Sequence, residues 1–125
     1  IVVKALNTDD SKVFKRNQSF GQLVTKSEMV KLRFRDYAAV DGDRIKIMVN
    51  GLVIRADANL IASYQTVEIG LTPGFNNLEF EALNQGTSGP NTAQFSIVDD
   101  TGKVLIENRW DLATGFKGSV MIIKD

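Results

Sequence analysis

Asp41-Gly42-Asp43-Arg44-Ile45-Lys46-Ile47-Met48-Val49-Asn50-Gly51 is the stretch whose reading decides the fold. It opens on an acidic turn, continues as a strand with apolar residues at alternate positions, and ends in an Asn-Gly pair. Successive side chains of a strand point to opposite faces. Ile45, Ile47 and Val49 are therefore expected to face a core, with Arg44, Lys46 and Met48 facing away. Asn50-Gly51 is a strong hairpin signal, because a type I′ turn needs positive φ at both central residues. The chain is expected to return through Leu52-Val53-Ile54.

The same pattern extends in both directions. Upstream, Met29 to Arg35 alternates Val30, Leu32 and Phe34 with Lys31, Arg33 and Arg35. Phe20 to Val24 reads as a short edge strand, Asn7 to Ser19 as a polar loop, and Ile1 to Leu6 as a first strand with little alternation. Downstream, residues 57–63 read as a loop. Thr66 to Leu71 points Val67, Ile69 and Leu71 inward, and Asn77 to Ala82 does the same with Leu78, Phe80 and Ala82. Between them, Pro73-Gly74 carries the residues of a type II turn. Thr92 to Val98 and Lys103 to Trp110 flank a turn at Asp99-Asp100-Thr101-Gly102. Lys117 to Lys124 closes the chain as a strand apolar on both faces. No stretch keeps apolar residues at helical spacing. Eight or nine short strands with regular turn signals predict an all-β chain, an antiparallel β-sandwich of immunoglobulin-like or jelly-roll-like form. All 125 residues are expected to form one domain. A chain of this size buries roughly two-thirds of its unfolded surface, enough for a core without staples.

Composition removes several chemistries. There is no cysteine, hence no disulfide, thiol nucleophile or cysteine-based zinc site. There is no histidine, hence no His-activated nucleophile and no imidazole metal ligand. Fifteen basic residues balance fifteen acidic ones, which argues against binding nucleic acid through bulk charge. No apolar run reaches the length of a membrane-spanning helix, so a membrane-spanning role is not expected. Glu79 and Glu81 share a face of a strand whose alternate residues are apolar. That makes them a solvated face rather than a catalytic pair flanking a glycosidic bond. The chain is not expected to be an enzyme.

If consecutive strands run antiparallel, the loops 36–43, 57–63, 84–91 and 111–116 fall at one end and the tight turns at the other. Binding residues concentrate on loops held by a rigid scaffold. The long-loop end gathers Asp36, Asp41, Asp43, Asp57, Asn59, Asn84, Gln85, Asn91 and Asp111. Ca²⁺ takes six to eight oxygen ligands, and Asp36, Asp41 and Asp43 offer carboxylates within a short loop. The competing reading is that these aspartates accept backbone amides in turns. Asn84, Asn91, Tyr37 and Asp111 are the candidate ligand-binding residues. Tyr37, Tyr64 and Trp110 are the aromatics available to stack on a sugar ring or pack a peptide. Trp110, in a strand, is read as core, with the tyrosines at its rim. The stripe Lys31, Arg33, Arg35, with Lys46 on a neighbouring strand, offers positive charge to an anionic polymer, but like-charged strand faces more often keep a sheet soluble, and that is the reading preferred. The apolar terminal strands Ile1–Leu6 and Val120–Ile123 are expected to be buried in the fold, to pair with another chain, or to lie under a partner domain.

Several stretches carry a family resemblance: Asp41-Gly42-Asp43-Arg44 with Val49-Asn50-Gly51, Pro73-Gly74-Phe75-Asn76, residues 82–93 (ALNQGTSGPNTA), Asp99-Asp100-Thr101-Gly102 and residues 110–115 (WDLATG). Phe20-Gly21 and Thr25-Lys26-Ser27 add to it. In these the chain resembles a family of small secreted or surface-associated bacterial β-sandwich proteins of uncharacterised activity. The resemblance covers about the last hundred residues. It implies export and a sandwich, and it carries no catalytic residues. The sequence therefore leads to an extracellular binding module, taking Ca²⁺, a glycan or another polar ligand at the long-loop end. The rival expectation is a structural subunit of a surface assembly joined to a protein partner through its terminal strands.

Overall fold

The computed structural model describes residues 16–37, 40, 42–84 and 90–125. The expected strand Ile1–Leu6 and most of the loop after it lie outside the described residues, as do Asp41 and Gln85. Among the described residues there are nine strands and no helix. They are β1 (Gln18–Thr25), β2 (Met29–Arg35), β3 (Arg44–Val49), β4 (Leu52–Asn59), β5 (Gln65–Gly70), β6 (Gly74–Ala82), β7 (Asn91–Val98), β8 (Val104–Leu112) and β9 (Lys117–Lys124). A five-stranded sheet runs β1-β9-β6-β3-β4 and a four-stranded sheet runs β5-β2-β7-β8. The expected β-sandwich is what forms. Pairing is antiparallel except between β1 and β9, which are parallel.

Burial follows the alternation. Val30, Leu32 and Phe34 of β2, Leu78 and Phe80 of β6, and Phe95 and Ile97 of β7 are fully buried between the sheets. The core centres on aromatic rings. Phe80 stacks on Trp110 at 4.3 Å, and Phe95 meets Phe80 and Phe20, each at 5.1 Å. Trp110 is thus the core residue its place in a strand implied.

The Asn50-Gly51 turn has positive φ at both residues, 50° and 82°, as the type I′ reading requires. Only β3–β4 and β7–β8 are joined as hairpins. Every other connection passes from one sheet to the other. The Pro73-Gly74 turn is therefore a crossing between sheets, not a hairpin.

Five local expectations need correction. Met48, expected to face solvent away from the core, is only 7% exposed, while Val49 packs half-buried against the core as expected. β4 carries two irregularities against β3, and the outer-face neighbours Val53 and Glu79 flank Met48. Asp57 to Asn59 lie in β4 rather than in a loop, and Asp111 lies in β8. Lys46 belongs to the other sheet from Lys31, Arg33 and Arg35, and it pairs with Glu81 at 3.6 Å. β9 is an interior strand between β1 and β6, so of the expectations for Val120–Ile123 burial in the fold holds, and pairing with another chain does not, because the strand has no free edge.

Candidate functional site

The described residues of the four long connections gather at one end, where they pass from sheet to sheet over the core. Backbone groups so covered need partners. Asp36 N–H donates to Ile61 C=O, Leu60 N–H to Asp43 C=O, Leu83 N–H to Arg44 C=O and Gly115 N–H to Ala82 C=O, all within 2.9 Å. Side chains complete the net. Asn84 accepts from Arg44 N–H at 2.8 Å and donates to Gly42 C=O. The Asn91 amide donates to Arg44 and Asn84 carbonyls, both at 3.0 Å, and its oxygen accepts the Trp110 indole N–H at 2.9 Å. Asp43 Oδ2 accepts Thr92 N–H at 3.1 Å.

These bonds show where the structure puts the expected site residues. Asn91 is fully buried and its oxygen and nitrogen are both engaged within the fold. Asn84 ties the 36–43 connection to the strands. Asp36 and Asp43 are buried under the crossing chains. Among the described residues, no group of three or more acidic side chains stands close enough to hold a metal. Asp41 lies outside those residues.

Tyr37 and Asp111 face outward. The Tyr37 hydroxyl donates to Asp111 Oδ1 at 3.0 Å, and the Arg109 guanidinium lies 4.8 Å from the Tyr37 ring centroid. Gln18 of β1 donates to Asp111 C=O at 2.8 Å, which fixes that margin of the sheet. Partial burial, the hydrogen bond to Asp111 and the charges of Asp111 and Asp36 push the Tyr37 phenol pKa up, against the opposing pull of Arg109.

A second tyrosine cluster lies on the same face. Arg33 and Arg35 place their guanidinium carbons 4.6 and 4.9 Å from the Tyr64 ring centroid. Arg35 donates through Nε and Nη2 to Gln94 Oε1 at 3.1 and 2.8 Å. Strand register makes one surface of these parts. Arg35 is opposite Gln94, Gln94 opposite Arg109, and Thr92 opposite Asp111. Tyr64, Arg35, Gln94 and Arg109 thus cross the outer face of the four-stranded sheet in a row, with Tyr37 and Asp111 beside it at the loop end.

Sequence reading missed Gln94 and Arg109, and for Arg33 and Arg35 it preferred a solubilising stripe over contact with an anionic polymer. Counting outward from the Asp99–Gly102 turn does not find the pairing, because a bulge between Ile97 and Val98 shifts the register.

The opposite, tight-turn end has a different concavity. Between the edge strands β4 and β5 is a cleft of about 260 Å³, lined by Val49, Leu52, Ile54 and Ile69 with Asn50 and Thr72 at its rim.

Comparison with known proteins finds no match: no family model, no curated protein and no solved structure is significantly similar to the chain.

Proposed function

We propose that the chain is a non-catalytic binding module that takes a polar, glycan-type ligand on the loop-end half of its four-stranded sheet. The observation that carries this reading is the pair of arginine-stacked tyrosines, Tyr37 with Arg109 and Tyr64 with Arg33 and Arg35, at two margins of one face. Gln94, Thr92 and Asp111 supply hydrogen-bonding groups between them. Aromatic side chains with a few fixed polar groups suit sugar rings, which present apolar faces edged by hydroxyls. A cell-surface or secreted setting belongs to the same proposal and rests on the family resemblance. The test is a panel of neutral and acidic polysaccharides probed with the chain and with Tyr37→Ala and Tyr64→Ala. Retention of one polysaccharide class, weakened in both variants, supports the module. No retention across the panel removes it.

One observation favours assembly as a second reading. Leu52, Val53 and Ile54 are 72, 52 and 40% exposed on the edge strand β4, beside the apolar cleft. Edge strands are usually blunted by charge. In this reading a second copy covers that side through side-chain contact, since two irregularities interrupt the β4 ladder. Sedimentation of the chain and of Leu52→Lys tests it: a dimer that the variant abolishes supports assembly, and a monomer at all concentrations rejects it.

A further inference from the structure

The loop-end face carries charge as well as rings, and the charge says what kind of glycan it suits. Among the described residues the ion pairs join Arg44 to Asp57, Lys46 to Glu81 and Lys124 to Glu28. None involves Arg33, Arg35 or Arg109. Arg35 turns two of its donors to one oxygen of Gln94, which orients the guanidinium and leaves its Nη1 edge open. Arg109 is exposed, and stacking on Tyr37 holds it over the sheet. Arg33 is held by Tyr64 in the same way. Around these groups stand Asp111, which receives the Tyr37 hydroxyl, Glu68, which lies on β5 opposite Lys31 and diagonal to Arg33, and Glu107, at the β8 edge of the Arg33 row. Positive charge is thus fixed in place by stacking and a side-chain amide, and among the described residues no carboxylate forms an ion pair with it.

We infer that the ligand of this face is an acidic polysaccharide, its uronic-acid carboxylates received by Arg33, Arg35 and Arg109 while its rings lie along the Tyr64–Arg35–Gln94–Arg109 row. The inference rests on the binding-module reading above and narrows it. A planar guanidinium matches a carboxylate with two parallel N–H bonds, and stacking on tyrosine lowers the entropy lost when those bonds form. The row crosses three strand spacings of ~4.8 Å, about 14 Å in all, which is long enough for more than one sugar. A single-stranded nucleic acid fits less well. It needs a continuous basic groove along its backbone, whereas the chain is neutral overall.

The experiment is calorimetric titration with polygalacturonate and with the same polymer after reduction of its carboxyl groups to neutral galactose units. The expected result is binding to the polyuronate at least ~10-fold tighter than to the reduced polymer, the sum of several exposed pairs each contributing a few tenths to one kcal/mol. Arg35→Gln and Arg109→Gln are each expected to weaken polyuronate binding about two- to fivefold. Lys31→Gln, two positions further along the same strand face, is expected to leave it unchanged. Thermal midpoints verify that the variants fold, and the exposed Arg109 serves alone should Arg35→Gln unfold. Equal affinity for the two polymers, or an equal loss in Lys31→Gln, overturns the acidic ligand and leaves the module standing on its neutral-glycan arm. Binding to neither polymer, nor to any neutral glycan, overturns both. Tighter binding of a single-stranded oligonucleotide than of the polyuronate also overturns the inference.

Discussion

At the scale of single residues, two side chains show how little freedom the core leaves. Asn91 joins three backbone or side-chain partners and is the acceptor for the buried Trp110 indole N–H. Asn91→Ala would leave that donor and two carbonyls unsatisfied, each costing about 1–3 kcal/mol when buried. A loss of about 3 kcal/mol or more is expected by urea unfolding, larger than for the part-exposed Asn84→Ala. Gly118 has an ordinary backbone conformation, yet a Cβ there would stand 2.3 Å from Phe80 Cε2 and 2.9 Å from Phe20 Cε2. Gly118→Ala must push a packed ring aside and is expected to cost about 1–3 kcal/mol. Tyr37 supplies a pH prediction. Its phenol is raised above the ordinary value of 10.0 in the folded state, first by burial and then by Asp111. The folded chain then binds this proton more tightly than the unfolded one. The stabilisation is complete below the unfolded pKa and is lost as pH rises through 10 toward the folded value. Tyrosinate absorbance of a Tyr64→Phe chain is expected to titrate above a model tyrosine, and Asp111→Asn to move it back down.

At the scale of elements, a turn can matter more than the strands it joins. Asn76 opens β6 from a buried position. Its Nδ2 donates to the Thr72, Gly74 and Ile122 carbonyls while its Oδ1 accepts from Thr72 N–H and Oγ1. One amide holds the crossing between sheets to β9. Asn76→Ala is expected to cost about 2–4 kcal/mol in denaturant, whereas Asn77→Ala beside it stays within about 1 kcal/mol. This element shows how far the sequence could be read. Alternation placed β2, β5, β6 and β7 within a few residues, because each has one face in the core. It failed on β4, where two irregularities break the period and expose Leu52, Val53 and Ile54 together. It also read Pro73-Gly74 as a turn without showing that the turn changes sheets. Alternation says which face is buried and never which strand lies beside it. The candidate face was partly legible for the same reason. Tyr37, Asp111, Arg33 and Arg35 were visible as residues, but Gln94 and Arg109 join them only through a register that a bulge displaces.

At the scale of the molecule, all four connections at the loop end pass between sheets, whereas at the other end two of the four, β3–β4 and β7–β8, are hairpins. Connections that pass between sheets at the loop end satisfy their backbone partly on neighbouring backbone and partly on side chains. Short polar residues, Asp and Asn above all, do this well. The clustering of carboxylates and amides that suggests a calcium site in the sequence is what such a crossing needs without any ion. The two accounts differ in the response to metal. An ion bound only by the native state adds about 2.7 kcal/mol at 100 times its dissociation constant, which for a domain of this size raises the midpoint by several degrees. If Asp36 and Asp43 serve the backbone, as the Asp43–Thr92 bond supports, thermal midpoints in millimolar Ca²⁺ and in EDTA agree within about one degree. Asp43→Asn should then destabilise the chain equally in both. A Ca²⁺-dependent rise that disappears in Asp43→Asn would return the ion to the loop end. It would also make the tyrosine and arginine face beside it a metal-assisted one, because chelation would then weaken polysaccharide binding along with stability.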